Sequence, residues 1–223
     1  MKHSLELGIK LYNQKRYEQA KKELQSLDQK PEENPEIAYY LGLVLTQLQD
    51  YNAAVPILEF VILAHPSIFY IFQCRMVLGL IYSLTQQYRL AEIEFRNLLK
   101  LGVESPQVYT SLGFALYAQK KKDEAIENLK KALELKSDYA SALNNLGFIY
   151  AEEGMKAKEA VDLCRLAVRG QPGNPVYLDS LGFALFKAGN FVDSRAYLRK
   201  ALEISKGNRE IAAHLKLVLE KET

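Results

Sequence analysis

The stretch SLGFAL stands at Ser111–Leu116 and again at Ser180–Leu185. Each copy contains a Leu-Gly pair. Such pairs recur at Leu7-Gly8, Leu41-Gly42, Leu78-Gly79, Leu112-Gly113, Leu146-Gly147 and Leu181-Gly182. The glycines are 34, 37, 34, 34 and 35 residues apart. A chain that repeats itself at this period folds as a stack of like units, each burying its neighbour's apolar face.

The residues around each glycine repeat as well. Three positions later stands a large apolar residue: Leu11, Leu45, Tyr82, Leu116, Tyr150 or Leu185. About twelve positions later stands a small one: Ala20, Ala54, Ala91, Ala125, Ala160 or Ser194. Four further on come Leu24, Leu58, Phe95, Leu129, Cys164 and Leu198. Spacings of three, four and seven predict helices, not strands. Short turns such as Gln49-Asp50-Tyr51 and Ala188-Gly189-Asn190 separate two helices per unit, and Pro31, Pro66 and Pro172 end units where a helix should stop. The glycine lacks a Cβ and the alanine has little side chain, so the paired helices can approach closely.

This pattern resembles the tetratricopeptide repeat, whose signature is W-x2-L-G-x2-Y, then A-x3-F, then P over 34 residues. The resemblance covers essentially the whole chain and implies an all-α fold. The implied architecture is a right-handed α-solenoid of six helix–turn–helix units in a single domain, 1–223. The units run approximately 1–34, 35–71, 72–105, 106–139, 140–174 and 175–207. A capping helix follows at 208–222, with Ile211, Leu215, Val218 and Leu219 as one apolar stripe. The signature tryptophan is absent throughout; its positions hold Ser4, Ala38, Arg75, Tyr109, Leu143 and Leu178. The terminal proline is Ser137 in the fourth unit, and Ser194 replaces the small alanine in the sixth.

Two units are irregular. Extra residues in HPSIFYIFQCRM predict a longer first helix in the third unit, with Ser67 as its cap. Ile68, Phe69, Ile71 and Phe72 then pack under that helix or form an apolar edge for a partner; packing is the reading favoured. The fifth unit has one extra residue in AEEGMKAKEA, which predicts a longer turn at Gly154.

The sequence offers little for catalysis. The three histidines, His3, His65 and His214, fall in different units and do not suggest a shared metal site. His65, before Pro66, is placed to face the last carbonyls of its helix. Cys164 reads as a buried apolar residue rather than a nucleophile. No Gly-rich phosphate loop occurs, and Lys120-Lys121-Lys122 reads as a solvated turn. No enzyme activity, cofactor or metal is expected. With 29 Lys and Arg against 27 Asp and Glu, no global field recruits nucleic acid. The most apolar stretch, 56–72, is interrupted by Glu59, His65 and two prolines, so direct membrane insertion is not expected. Cys74 and Cys164 form no C-x-x-C pair and fit a reducing compartment. The N-terminal stretch MKHSLELGIKLYNQKRY carries no secretory pattern, so the expected location is the cytoplasm. The close-packed, short-turn style looks bacterial, on resemblance alone.

In the resembling family, the first helices line a concave surface that holds peptides or partner proteins. Carrying its groove positions onto this chain selects Tyr39, Leu43, Met76, Leu80, Thr110, Phe114, Tyr117, Asn144, Phe148, Asp179, Phe183 and Phe186. Phe114, Phe148 and Phe183 fit packing between repeats and contact with a ligand equally well. Tyr117, Asn144, Asp179 and Phe186 are expected to be exposed contacts. Some family members clamp an acidic C-terminal carboxylate with Lys, Asn and Arg; only Asn145 matches that set here. The implied function is a non-catalytic scaffold or adaptor that binds a peptide or helical segment of a partner protein in an apolar, aromatic groove. The alternative is a self-assembling protein, a homo-oligomer whose main partner is its own chain.

Overall fold

The computed structural model describes residues 4–221. These form thirteen α-helices and one short 3-10 turn, with no strand among the described residues. They divide into two compact units, one ending at Glu104 and one beginning at Ser105.

The first unit contains α1 (Leu5–Asn13), α2 (Tyr17–Gln25), α3 (Pro35–Gln47), α4 (Tyr51–Ala64), α5 (Ile68–Leu84) and α6 (Tyr88–Lys100). The second contains α7 (Pro106–Ala118), α8 (Lys122–Leu135), α9 (Ala140–Glu152), α10 (Ala157–Gly170), α11 (Pro175–Lys187), α12 (Phe191–Ile204) and α13 (Arg209–Lys221). Consecutive helices pair as hairpins. Within each unit, every first helix also packs on the next first helix and on the second helix before it.

The hairpins close on the repeated glycines. Gly8 faces Leu24, Gly42 faces Leu58, Gly79 faces Phe95, Gly113 faces Leu129, Gly147 faces Cys164 and Gly182 faces Leu198. A Cβ at any of the six would lie 2.5–2.9 Å from its partner. The small positions Ala20, Ala54, Ala91, Ala125, Ala160 and Ser194 are all fully buried. Ser194 meets the hydrogen-bonding cost of its hydroxyl locally: its Oγ donates to the Gly182 carbonyl at 2.7 Å.

Each hairpin turn contains a residue with positive φ: Lys15, Gln49, Gln86, Lys120, Gly154 and Gly189. The fifth turn also holds Lys156 in the left-handed region, and α9 and α10 are separated by four residues where the other hairpins have three. The longer turn predicted at Gly154 is therefore present. Asn34, Ser105 and Asn174 cap α3, α7 and α11, each with proline at the first helical position. Four of the tryptophan positions hold buried core residues, Ala38, Tyr109, Leu143 and Leu178. Ser4 instead caps α1, and Arg75 pairs with Glu94 at 2.7 Å.

The irregular third hairpin departs from expectation in three ways. Helix α5 begins at Ile68 and has 17 residues against 13 in α3, but the Ser67 side chain makes no capping bond. Ile68 and Phe69 are 56% and 57% exposed, so only Ile71 and Phe72 of the four apolar residues are partly covered. His65 does not face the helix carbonyls. Its Nδ1 accepts from the Ser67 N–H at 3.1 Å and its ring lies 4.1 Å from Tyr70, because the residue before Pro66 leaves α4 with extended backbone. His3 lies outside the described residues. At the far end, Asn208 caps α13 through the Glu210 and Ile211 N–H groups. Ile211 and Val218 are buried in the cap, while Leu219 is exposed because it sits around the helix from that contact.

A Cβ at Gly147 would meet backbone atoms, Ala160 O at 3.0 Å and Cys164 N at 3.1 Å, which cannot swing aside. At Gly173 it would meet nothing within 4 Å. Gly147→Ala should therefore cost about 1–3 kcal/mol despite alanine's better helix propensity. Gly173→Ala should be neutral or slightly stabilising. Urea unfolding of the two variants checks both.

Candidate functional site

In the second unit α7, α9 and α11 lie side by side, and α13 takes the place of a further first helix against α11. Together they form an open groove of about 470 Å³. Phe114 and Tyr117 come from α7, and Asn144, Asn145, Phe148 and Ile149 from α9. Val176, Asp179 and Ser180 come from α11, and Glu210, Ala213 and His214 from α13. The size is within the range of about 300–1,000 Å³ usual for ligand pockets.

Two of the groove's rings, Phe148 and His214, pack on Phe183, which lies outside the groove's lining. Phe148 lies 5.5 Å from Phe183, and Phe183 lies 4.6 Å from His214. Phe183 is only 7% exposed and acts as the base beneath Phe148. Phe114 is 46% exposed and Phe148 half-buried. Phe186 packs between Phe183 and Phe191 and does not line the groove.

Its polar part is fixed. His214 Nδ1 lies 2.9 and 3.1 Å from the two Asp179 carboxylate oxygens; a carboxylate only accepts, so the ring nitrogen donates. This bond ties α13 to α11. Tyr117 O–H donates to Glu152 Oε2 at 2.6 Å and to Glu153 Oε1 at 3.2 Å. Burial first, then the bond to Glu152, holds the Tyr117 phenol far above its usual range. Lys122 bonds Glu153 at 3.1 Å and holds that carboxyl below its usual value.

Asn144 and Asp179, expected to be exposed, are 4% and 8% exposed. The neighbouring first helix covers them, although both still line the groove. Thr110 is also buried, at 6%. The groove-lining residues that the sequence reading did not select include Ile149, Val176, Ser180 and Ala213 and, on the capping helix, the ionisable pair Glu210 and His214. The signal was available: His214 stands 35 residues after Asp179, one repeat further in the same register.

The first unit brings other selected residues to a separate cavity of about 390 Å³. Tyr39 and Leu43 line it with Tyr12, Tyr40, Phe69 and Tyr70. Tyr39 meets the Tyr70 ring edge-on at 4.6 Å and is itself buried. Met76 is buried and Leu80 is 42% exposed; neither lines this cavity.

Among the described residues, no three His, Cys, Asp or Glu side chains are placed to hold a metal ion. No described helix is long and apolar enough to cross a membrane.

A family model for the TPR repeat matches residues 113–154, and two for the tetratricopeptide repeat match 176–206 and 5–60. Together they cover more than half of the chain. The chain belongs to the tetratricopeptide-repeat family. A TPR repeat-containing protein of Pseudomonas aeruginosa is 35% identical over 103 residues; that match spans 45% of this chain but only 17% of the relative. Among solved structures, YrrB, a TPR protein with an unusual peptide-binding site, covers 82% of this chain with 92% of its own (TM-score 0.57, 20% identity). A thermophilic TPR protein of Thermus thermophilus covers 83% with 99% of its own (TM-score 0.66, 19% identity). In the APC/C hetero-tetramer Cut9-Hcn1, 41% of a chain matches 96% of this one (TM-score 0.78, 15% identity). At these identities the likeness is one of fold.

The TPR hairpins also dispose of the cysteines as nucleophiles. Cys74 and Cys164 are fully buried, and burial pushes both thiols up to about 12. Ellman's reagent at pH 8 should label neither in the folded protein and both after denaturation.

Proposed function

We propose that this TPR protein is a non-catalytic scaffold or adaptor. The groove of its second unit holds a peptide or helical segment of a partner protein. One observation carries the reading: α7, α9, α11 and α13 leave open a groove that combines exposed and half-buried phenylalanines with a few fixed polar groups. Such a surface suits a segment with an apolar face, since rings supply contact area and the polar groups set register. YrrB, a relative in fold, has a peptide-binding site, which agrees with this use of the scaffold. Tyr39 and Leu43 would serve a separate contact in the first unit's cavity, Leu80 would be an exposed contact outside it, and Met76 would act from the core. Thr110 and Phe183 would act by supporting the groove, and Phe186 by packing against Phe183.

A second reading is self-assembly, favoured by the exposed apolar residues Leu63, Ile68 and Phe69 around the start of α5. The two separate in one experiment. The full chain and its Phe114→Ala/Phe148→Ala variant are used to capture proteins from a native lysate, with circular dichroism confirming that both are folded. The scaffold reading predicts a partner retained by the wild type and depleted at least tenfold by the variant. Equal capture removes the groove from the account. Concentration-dependent sedimentation of the chain alone, abolished by Phe69→Ser, would establish self-assembly instead.

A further inference from the structure

From the groove's polar groups we infer the chemistry of its occupant: a segment of another protein that places a Lys or Arg beside a bulky apolar side chain. This rests on the scaffold reading and adds a polarity to it.

The first observation is charge. Two carboxylates line the groove, those of Asp179 and Glu210, and no Lys or Arg lines it. His214 already donates to Asp179, so the imidazole offsets part of that charge. Lys187 lies over the Phe183 ring at 5.3 Å and also does not line the groove. Glu210 is exposed, and among the described residues its carboxylate has no cation partner. An anionic ligand would meet the Glu210 carboxylate, which no cation offsets, beside the partly offset Asp179; a cationic one completes Glu210.

The second observation is independent of charge. Asn144 lines the same groove, is only 4% exposed, and its Oδ1 has no hydrogen-bond partner. Its Nδ2 reaches Asn145 Oδ1 at 3.4 Å. A buried amide oxygen left unpaired costs the free protein stability. The outer torsion of asparagine is broad, and Asn144 lines the groove, so rotation about it is the route by which that oxygen would reach an occupant. A donor on the occupant, a backbone N–H or the guanidinium itself, then satisfies it. Phe114 and Phe148 flank this point and take the apolar side chain.

The test uses a random twelve-residue peptide library displayed on phage and panned against the full chain, with the Phe114→Ala/Phe148→Ala variant as control. The expected winners carry Arg or Lys within two residues of Phe, Leu or Met. Their affinity should fall about fivefold to tenfold with Glu210→Gln, an exposed change that leaves folding intact. Asn144→Leu should raise the melting temperature by roughly 2–4 °C while weakening the same peptides about tenfold, opposite signs that a purely structural asparagine would not give. Acidic or uncharged apolar winners that still depend on Phe148 would overturn the inferred polarity and leave the groove reading standing. Absence of any peptide enriched over the control would overturn both.

Discussion

The contact between each repeated glycine and the side chain opposite it sets everything else in this protein. Because Gly8, Gly42, Gly79, Gly113, Gly147 and Gly182 carry no Cβ, each hairpin closes until Leu24, Leu58, Phe95, Leu129, Cys164 or Leu198 touches backbone. The partner lies 16 residues after the glycine in five hairpins and 17 after it in the fifth, where the longer turn at Gly154 shifts the register. Cys164, a smaller side chain than the leucines, occupies the tightest of these backbone approaches. Close hairpins keep the first helices regularly placed, and regular placement turns a column of unrelated side chains into one surface.

That column explains the groove. Asn144, Asp179 and His214 occupy equivalent places on α9, α11 and α13, so all three line it, and Asp179 meets His214 directly from the helix beside it. The capping helix does two jobs. Ile211 and Val218 cover apolar surface that the last hairpin would otherwise expose. His214 and Glu210 extend the groove by one more helix. A cap that carries groove-lining residues couples the stability of the end of the stack to the shape of the groove through the His214–Asp179 bond.

Much of the fold was legible because the repeat spacing is a local property. The Leu-Gly pairs, the small residue twelve positions later and the apolar one after it each name a contact. The structure contains those contacts, down to Ser194, whose hydroxyl turns inward to the Gly182 carbonyl. Exposure was less legible, since it depends on the neighbouring helix and not on the residue's own. Asn144 and Asp179 are polar and sit at groove positions, yet the adjacent first helix covers them. Ile68 and Phe69 are strongly apolar, yet at the start of the lengthened α5 both stay more than half exposed, Phe69 meeting only the rim of the first unit's cavity. His214 reads in the sequence only as an isolated histidine because α13 lacks the Leu-Gly pair that marks the first helices, although the 35-residue step from Asp179 leads to a groove position.

The central claim is that partners meet the first helices and the cap of the second unit. Hydrogen–deuterium exchange of the full chain, free and saturated with a captured partner, tests it most directly. The account predicts slowed exchange in residues 106–118, 140–152, 175–187 and 209–221, with 122–135, 157–170 and 191–204 unchanged. Protection confined to those second helices, or absent from the second unit, would contradict it.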